Sequence, residues 1–173
     1  DAADTVRPRL DAAGGDPSRA YLIDAIRERN ESGRLVARGF SLEKDLLALE
    51  NAIKRVGDCR LVVIGRGPAE DYRQTARQMQ IGDRVSFCGF VGHPAAYLAA
   101  ADAFVHPTFH DACSLSVMEA WASGLPVITT RFNGAAELMQ DGVQGFVIDD
   151  PLNVAALADR MRRLMDAPLR QRM

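Results

Sequence analysis

Only three cysteines, Cys59, Cys88 and Cys113, occur in the 173 residues, an odd number without paired spacing. A disulfide framework is excluded as the source of stability, and a reduced, intracellular protein is expected. No run approaches the ~18 apolar residues that a membrane-spanning helix needs. Asp1 is preceded by no initiating Met and followed by no charged-then-apolar leader, so a piece of a longer protein is expected. Neither sign of charge is in excess: 21 basic against 23 acidic side chains leave a formal net charge of -2. That balance supplies no electrostatic reason to expect nucleic acid or an anionic membrane as partner. Positive charge gathers only at Arg160, Arg162, Arg163, Arg170 and Arg172, at the end of a helical pattern, and reads as a solvated helix face.

What is present describes an ordinary globular domain, with 47% hydrophobic and 25% charged residues arguing against disorder. Residues 1–33 are polar and turn-rich, with one helix expected over 18–29, and read as a linker or the end of an N-terminal part. From Arg34 to Met173 a strand-then-helix alternation repeats. Strands are expected at 35–37, 60–64, 84–87, 103–106, 127–130 and 145–148. These runs are short, apolar and not interleaved with polar residues, which suits a parallel sheet covered on both faces. Helices are expected at 42–55, 69–80, 94–100, 116–123, 135–140 and 154–165, the fourth stopped by Gly124 and Pro126. The expected fold class is α/β, a doubly wound, Rossmann-like six-stranded parallel sheet. Ligands bind such sheets outside the carboxyl ends of the strands.

The segment His106-Pro-Thr-Phe-His-Asp111-Ala-Cys-Ser114-Leu-Ser116-Val-Met-Glu119-Ala leaves a strand, crosses a polar loop and enters a helix. A helix start carries unpaired N–H groups and the positive end of the dipole, a ready site for an anion. Ser114 and Ser116 are small enough to let a phosphate approach the backbone. Two carboxylates, Asp111 and Glu119, bracket this point; carboxylates repel phosphate but accept hydroxyl donors well. A sugar nucleotide, with hydroxyls at both ends and phosphates between, satisfies the layout. A helix cap at Ser114 with a solvated Glu119 is the plain structural alternative.

The spacing Asp111-x7-Glu119 followed by Ala120-x-Ala122-x-Gly124-x-Pro126-Val127 resembles the E-x7-E signature of retaining glycosyltransferases with two Rossmann-like domains, the GT-B fold (family 4, group 1 type). Matching pieces at 60–68, 84–90, 101–107, 133–138 and 141–146 extend the resemblance over nearly all of 34–166, in the order of that family's C-terminal donor-binding domain. The chain would then be one half of a GT-B fold. The resemblance implies that Glu119 holds the ribose hydroxyls and Asp111 contacts the transferred sugar. It also implies that backbone N–H groups of Ser114, Leu115 and Ser116 take the diphosphate. Asp111 stands where the family usually has Glu, and Ala112-Cys113-Ser114 where Gly-Phe-Gly is common, so the preferred sugar is open. Arg38 and Lys44, six apart, match a pair that clamps the donor diphosphate and stabilises the charge that grows as it leaves; an ordinary surface pair is the alternative. Gly65 and Gly67 lack the third glycine and downstream acid of a dinucleotide fingerprint. They read as a place where a base or phosphate passes near the backbone. Phe90 and Val91 resemble the base-contacting loop.

His106 and His110 are four apart, but Pro107 between them rules out a helical metal pair, and no metal or other cofactor is expected. Cys113 reads as a small packing residue, and no nucleophile elbow is present. The function implied is transfer of a hexosyl group, with retention, from a nucleoside-diphosphate sugar such as a UDP-sugar to a hydroxyl acceptor in cell-envelope glycan or glycolipid synthesis. The acceptor would be bound mainly by an N-terminal domain. The resemblance also implies a cytoplasmic protein whose contacts with the inner face of the membrane lie outside this chain. A sugar-nucleotide epimerase of the same architecture and a non-catalytic nucleotide-binding domain are the alternatives. Residues 1–173 alone are expected to bind nucleotide weakly without turnover; a sugar-transfer assay on the isolated chain checks this.

Overall fold

The computed structural model describes residues 20–23, 26–29, 35–38, 47–65 and 69–173. The strands are β1 (Ala20–Ile23), β2 (Ile26–Arg29), β3 (Leu35–Arg38), β4 (Arg60–Ile64), β5 (Val85–Gly89), β6 (Ala103–His106), β7 (Val127–Thr130) and β8 (Gly145–Ile148). The helices are α1 (Leu47–Val56), α2 (Ala69–Gln78), α3 (Ala95–Ala100), α4 (Leu115–Ala122), α5 (Val154–Arg163) and α6 (Ala167–Arg172), with a 3₁₀ helix at Gly134–Leu138. The main sheet runs in the order β5-β4-β1-β6-β7-β8, with every neighbouring pair parallel. Strand order reverses at β1, with β4 and β5 on one side and β6 to β8 on the other, which is the doubly wound arrangement.

Five of the expected strands, β4 to β8, lie in this sheet. The other expected strand, at 35–37, forms as β3 but pairs antiparallel with β2 in a separate two-stranded sheet. The central position belongs to β1, within the segment read as a linker. The helix expected over 18–29 is thus corrected to two strands, with 24–25 outside the described residues. Tyr21, Leu22 and Ile23 form an uninterrupted apolar run, and periodicity cannot tell such a run in a buried strand from one in a buried helix. The helix expected at 135–140 is a 3₁₀ helix over Gly134–Leu138, and α6 was not anticipated. Among the described residues no helix is long and apolar enough to cross a membrane.

Burial on both faces follows from the pleat, since successive side chains point to opposite sides. Leu61 and Val63 enter the core beneath α1 and α5 with Ile53, Leu157 and Met161. Their neighbours Val62 and Ile64 enter the second core beneath α3 and α4 with Leu98, Val117 and Leu125. The same division separates Val105 from Phe104 on β6 and Ile128 from Val127 on β7. The doubly covered strands are therefore mostly apolar, and the polar side chains they do carry, His106, Thr129 and Thr130, cluster at the carboxyl ends of β6 and β7. Helix α4 ends as expected: Leu125 N–H reaches Ala120 O at 3.0 Å and Gly124 N–H reaches Trp121 O at 2.9 Å, closing a Schellman motif.

Two glycines allow close backbone approach, Gly145 at the amino end of β8 and Gly134 beyond the carboxyl end of β7. A Cβ on Gly145 would stand 1.9 Å from Val127 O, and its φ of +140° is in any case unfavourable for a side chain. A Cβ on Gly134 would stand 1.9 Å from Ala112 O, so the loop after β7 lies against the loop after β6. Both neighbours are backbone and cannot swing aside. Gly145→Ala and Gly134→Ala are each expected to lower stability by roughly 1–3 kcal/mol in urea unfolding. None of the three cysteines forms a disulfide. Burial pushes the Cys59 thiol up to about 11, whereas Cys88 and Cys113 are exposed. Iodoacetamide at neutral pH is expected to modify Cys88 and Cys113 in the native chain and Cys59 only after unfolding, as peptide mapping would record.

Candidate functional site

The strand order puts the switch point between β1 and β6, and the chain beyond the carboxyl end of β6 is the segment with the paired acids. Buried threonines shape this end. Thr129 Oγ1 donates to His106 O at 2.9 Å and Thr130 Oγ1 to Thr108 O at 2.5 Å, tying β7 to the chain as it leaves β6. Thr108 N–H turns back to His106 O at 2.9 Å, and Thr108 Oγ1 accepts His110 N–H at 3.2 Å. Asp111 N–H then reaches Phe132 O at 3.1 Å, and Gly134 N–H reaches Asp111 O at 2.8 Å, a short parallel bridge between the two loops.

Asn133, wholly buried, completes the link. Its Oδ1 accepts N–H groups from Ser114 at 3.3 Å and Ala135 at 3.0 Å, and its Nδ2 donates to Thr129 Oγ1 at 3.1 Å. Asn133 opens the matching piece 133–138, where the resemblance implies no role for it. An Asn three residues beyond the end of a strand and directly before Gly134 was the available signal, because such a side chain bonds nearby backbone readily.

Helix α4 begins from this scaffold. Ser114 occupies the N-cap with extended backbone, yet its side chain makes no capping bond and pairs instead with Ser116 Oγ at 2.9 Å. The N–H groups of Leu115, Ser116 and Val117 have no acceptor among the described residues. The Ser114 N–H, expected to face phosphate, is committed to Asn133. An uncapped first turn concentrates the positive end of the helix dipole, where an anion is favoured by about 0.3–1 kcal/mol at an exposed site. The plain alternative, a Ser114 side-chain cap, is not formed.

The acids differ. Glu119 is exposed on α4, and its carboxylate has no partner among the described residues. Asp111 is held inward, its side chain 10% exposed. Its Oδ1 accepts the Cys113 N–H at 3.1 Å, and its Oδ2 lies 3.6 Å from Nε2 of the buried His106. The structure thus makes one carboxylate open and the other part of the loop's own framework.

At the neighbouring strand ends, Gly65 N–H donates to Gly89 O at 3.0 Å, which brings the β4 end beside the turn into Phe90 and Val91. Phe90 is exposed, while Val91 packs on the core beneath α3 and α4. Arg38 ends β3, opposite Ile26 in the two-stranded sheet and not in the parallel sheet as expected. Lys44 and Gly67 lie outside the described residues. No group of three or more His, Cys, Asp or Glu side chains that could hold a metal ion occurs among the described residues.

Residues 32–167 match the family model described as Glycosyl transferases group 1. The lipopolysaccharide core biosynthesis glycosyltransferase LpsD of Rhizobium meliloti is 33% identical over 172 residues, 96% of this chain and 47% of that protein. LpsE of the same organism is 32% identical over 118 residues, 68% of this chain and 33% of that protein. Among solved structures, WaaG, a glycosyltransferase involved in lipopolysaccharide biosynthesis, superposes with a TM-score of 0.74 at 22% identity, over 95% of this chain and 43% of that one. HepE of Anabaena, in complex with UDP and glucose, gives 0.74 at 18% identity, over 99% and 46%. The fold is thus the Rossmann-like half of these two-domain enzymes, and the chain spans less than half the length of the relatives named. With four-fifths of its length inside the family model, the chain belongs to the group 1 glycosyl transferases.

Proposed function

We propose that this chain is the donor-binding half of a retaining hexosyltransferase that takes a sugar from a nucleoside diphosphate, with UDP the first candidate. The observation that carries this reading is the uncapped first turn of α4 at the switch point, with Asp111 before it and Glu119 one turn inside it. The N–H groups of Leu115, Ser116 and Val117 supply donors for the diphosphate, and the dipole favours its charge. Glu119, exposed and unpartnered among the described residues, supplies the charged acceptor that ribose hydroxyls need. In this reading the base is assigned to Gly65 and the Phe90–Val91 turn, and the transferred sugar to Asp111.

In this reading the enzyme's main task is to stabilise the leaving diphosphate, whose negative charge grows as the glycosidic bond breaks. The uncapped turn of α4 does part of this, and Arg38 and Lys44 supply the cations. The departing phosphate assists the acceptor hydroxyl on the same face of the sugar, so configuration is retained without a carboxylate nucleophile or a metal. A cell-envelope glycan or glycolipid is the proposed acceptor, by analogy with the lipopolysaccharide-core relatives. Its binding is assigned to the rest of the protein, on the cytoplasmic side of the membrane.

Titration calorimetry of the chain with UDP and GDP tests the assignment. One of the two is expected to bind. Glu119→Ala and Arg38→Ala should each weaken it by about tenfold or more, the equivalent of one charge-assisted hydrogen bond. Equal affinity in the parent and both variants would remove these residues from the site.

A further inference from the structure

The ring of His106 is 1% exposed, and its Nε2 has no hydrogen-bond partner. Buried polar atoms in folded proteins are almost always satisfied, so an exception calls for a reason. The ring cannot easily leave. Its carbonyl is held by Thr108 N–H and Thr129 Oγ1, each at 2.9 Å. Phe104 stacks beside it with ring centroids 6.1 Å apart and planes 19° apart. Asp111 Oδ2 stands 3.6 Å from Nε2, about 0.7 Å beyond the usual length of an N–H···O bond.

Asp111 is equally constrained. Its backbone is bonded on both sides to the loop after β7, and its Oδ1 holds the Cys113 N–H in the turn that leads into α4. Any rotation of the carboxylate away from its present direction would release that turn. The oxygen facing His106 is therefore the one whose partner decides where the open edge of the carboxylate points.

We propose that His106 is a positioning residue for Asp111: its Nε2–H holds Oδ2 and thereby sets the edge that the carboxylate offers to hydroxyls of the donor's sugar. The inference rests on the donor-binding reading of this loop and deepens it. His106 does not touch the donor. It acts through Asp111, and because Asp111 also holds the turn before α4, sugar recognition and the aim of the phosphate-binding turn share one support.

Two measurements on the 173-residue chain test this. In the first, ring nitrogen signals of His106 are compared by NMR between the parent and Asp111→Asn; a clear shift at Nε2 is expected, and an unchanged signal overturns the pairing. In the second, UDP and the tightest-binding of UDP-glucose, UDP-galactose and UDP-N-acetylglucosamine are titrated into the parent, His106→Leu and His106→Gln. His106→Leu should lose about tenfold of the UDP-sugar affinity while keeping that for UDP, and His106→Gln, which retains an N–H, should recover most of it. Equal losses for UDP and UDP-sugar in both variants, or no loss in His106→Leu, overturn the proposal. A parent that binds no uridine nucleotide removes the UDP-donor reading instead, and the ring signal then decides the His106–Asp111 pair by itself.

Discussion

The side-chain amide of Asn133 lies out of solvent, with its oxygen taking the N–H groups of Ser114 and Ala135 and its nitrogen bonded to Thr129. An amide this deep costs about 1–3 kcal/mol for each donor or acceptor left unmet, so the arrangement is close to all-or-none. It joins the end of β7 and the 3₁₀ helix that follows to the N-cap of α4, which lies 19 residues earlier in the chain. Removing that joint would take away the side-chain bond that ties the N-cap of α4 to the β7 side. The bridge between Asp111 and Asn133 and the close approach of Gly134 to Ala112 act at the same seam.

Around that seam the sheet performs the coarse positioning and the polar network the fine. Alternation of side chains to two cores buries β4, β6 and β7 and leaves the strand ends as the place where polar backbone can be used. At the β6 end, the threonines at 108, 129 and 130 are buried and bonded to main chain, so the loop leaves the sheet in one direction. A positive helix end then lies between two carboxylates. That layout is unstable toward collapse, since a carboxylate free to move would seek the same N–H groups as a phosphate. Asp111 is prevented from doing so by bonds within its own loop, and Glu119 by its place a full turn along the helix.

Much of this was legible in advance. The five runs that became β4 to β8 are short, largely apolar and rich in Val, Ile and Phe, which suits strands of a covered parallel sheet. The spacing from Asp111 to Glu119, with the glycine and proline beyond, marked both the helix and its end. What escaped was β1, because four apolar residues carry no period that separates strand from helix, and because a polar flank resembles a linker. That β1 and not 35–37 joins the parallel sheet depends on which run pairs with Leu61 and Phe104, a long-range matter that neither run announces. The direction of the Asp111 carboxylate escaped as well. Residue type tells that it accepts hydrogen bonds but not that one oxygen takes the Cys113 N–H while the other faces His106.

The sequence by itself determined the fold class, the family and the segment on which the site is built, because hydrophobic pattern and motif spacing are local properties of the chain. Tertiary structure alone decided which carboxylate is open, that Ser114 does not cap its helix, and what Asn133 holds together. Those outcomes depend on hydrogen bonds across about twenty residues of intervening chain, from the β7 side to the β6 side. Such bonds exist only once the two strands lie side by side with water excluded between them.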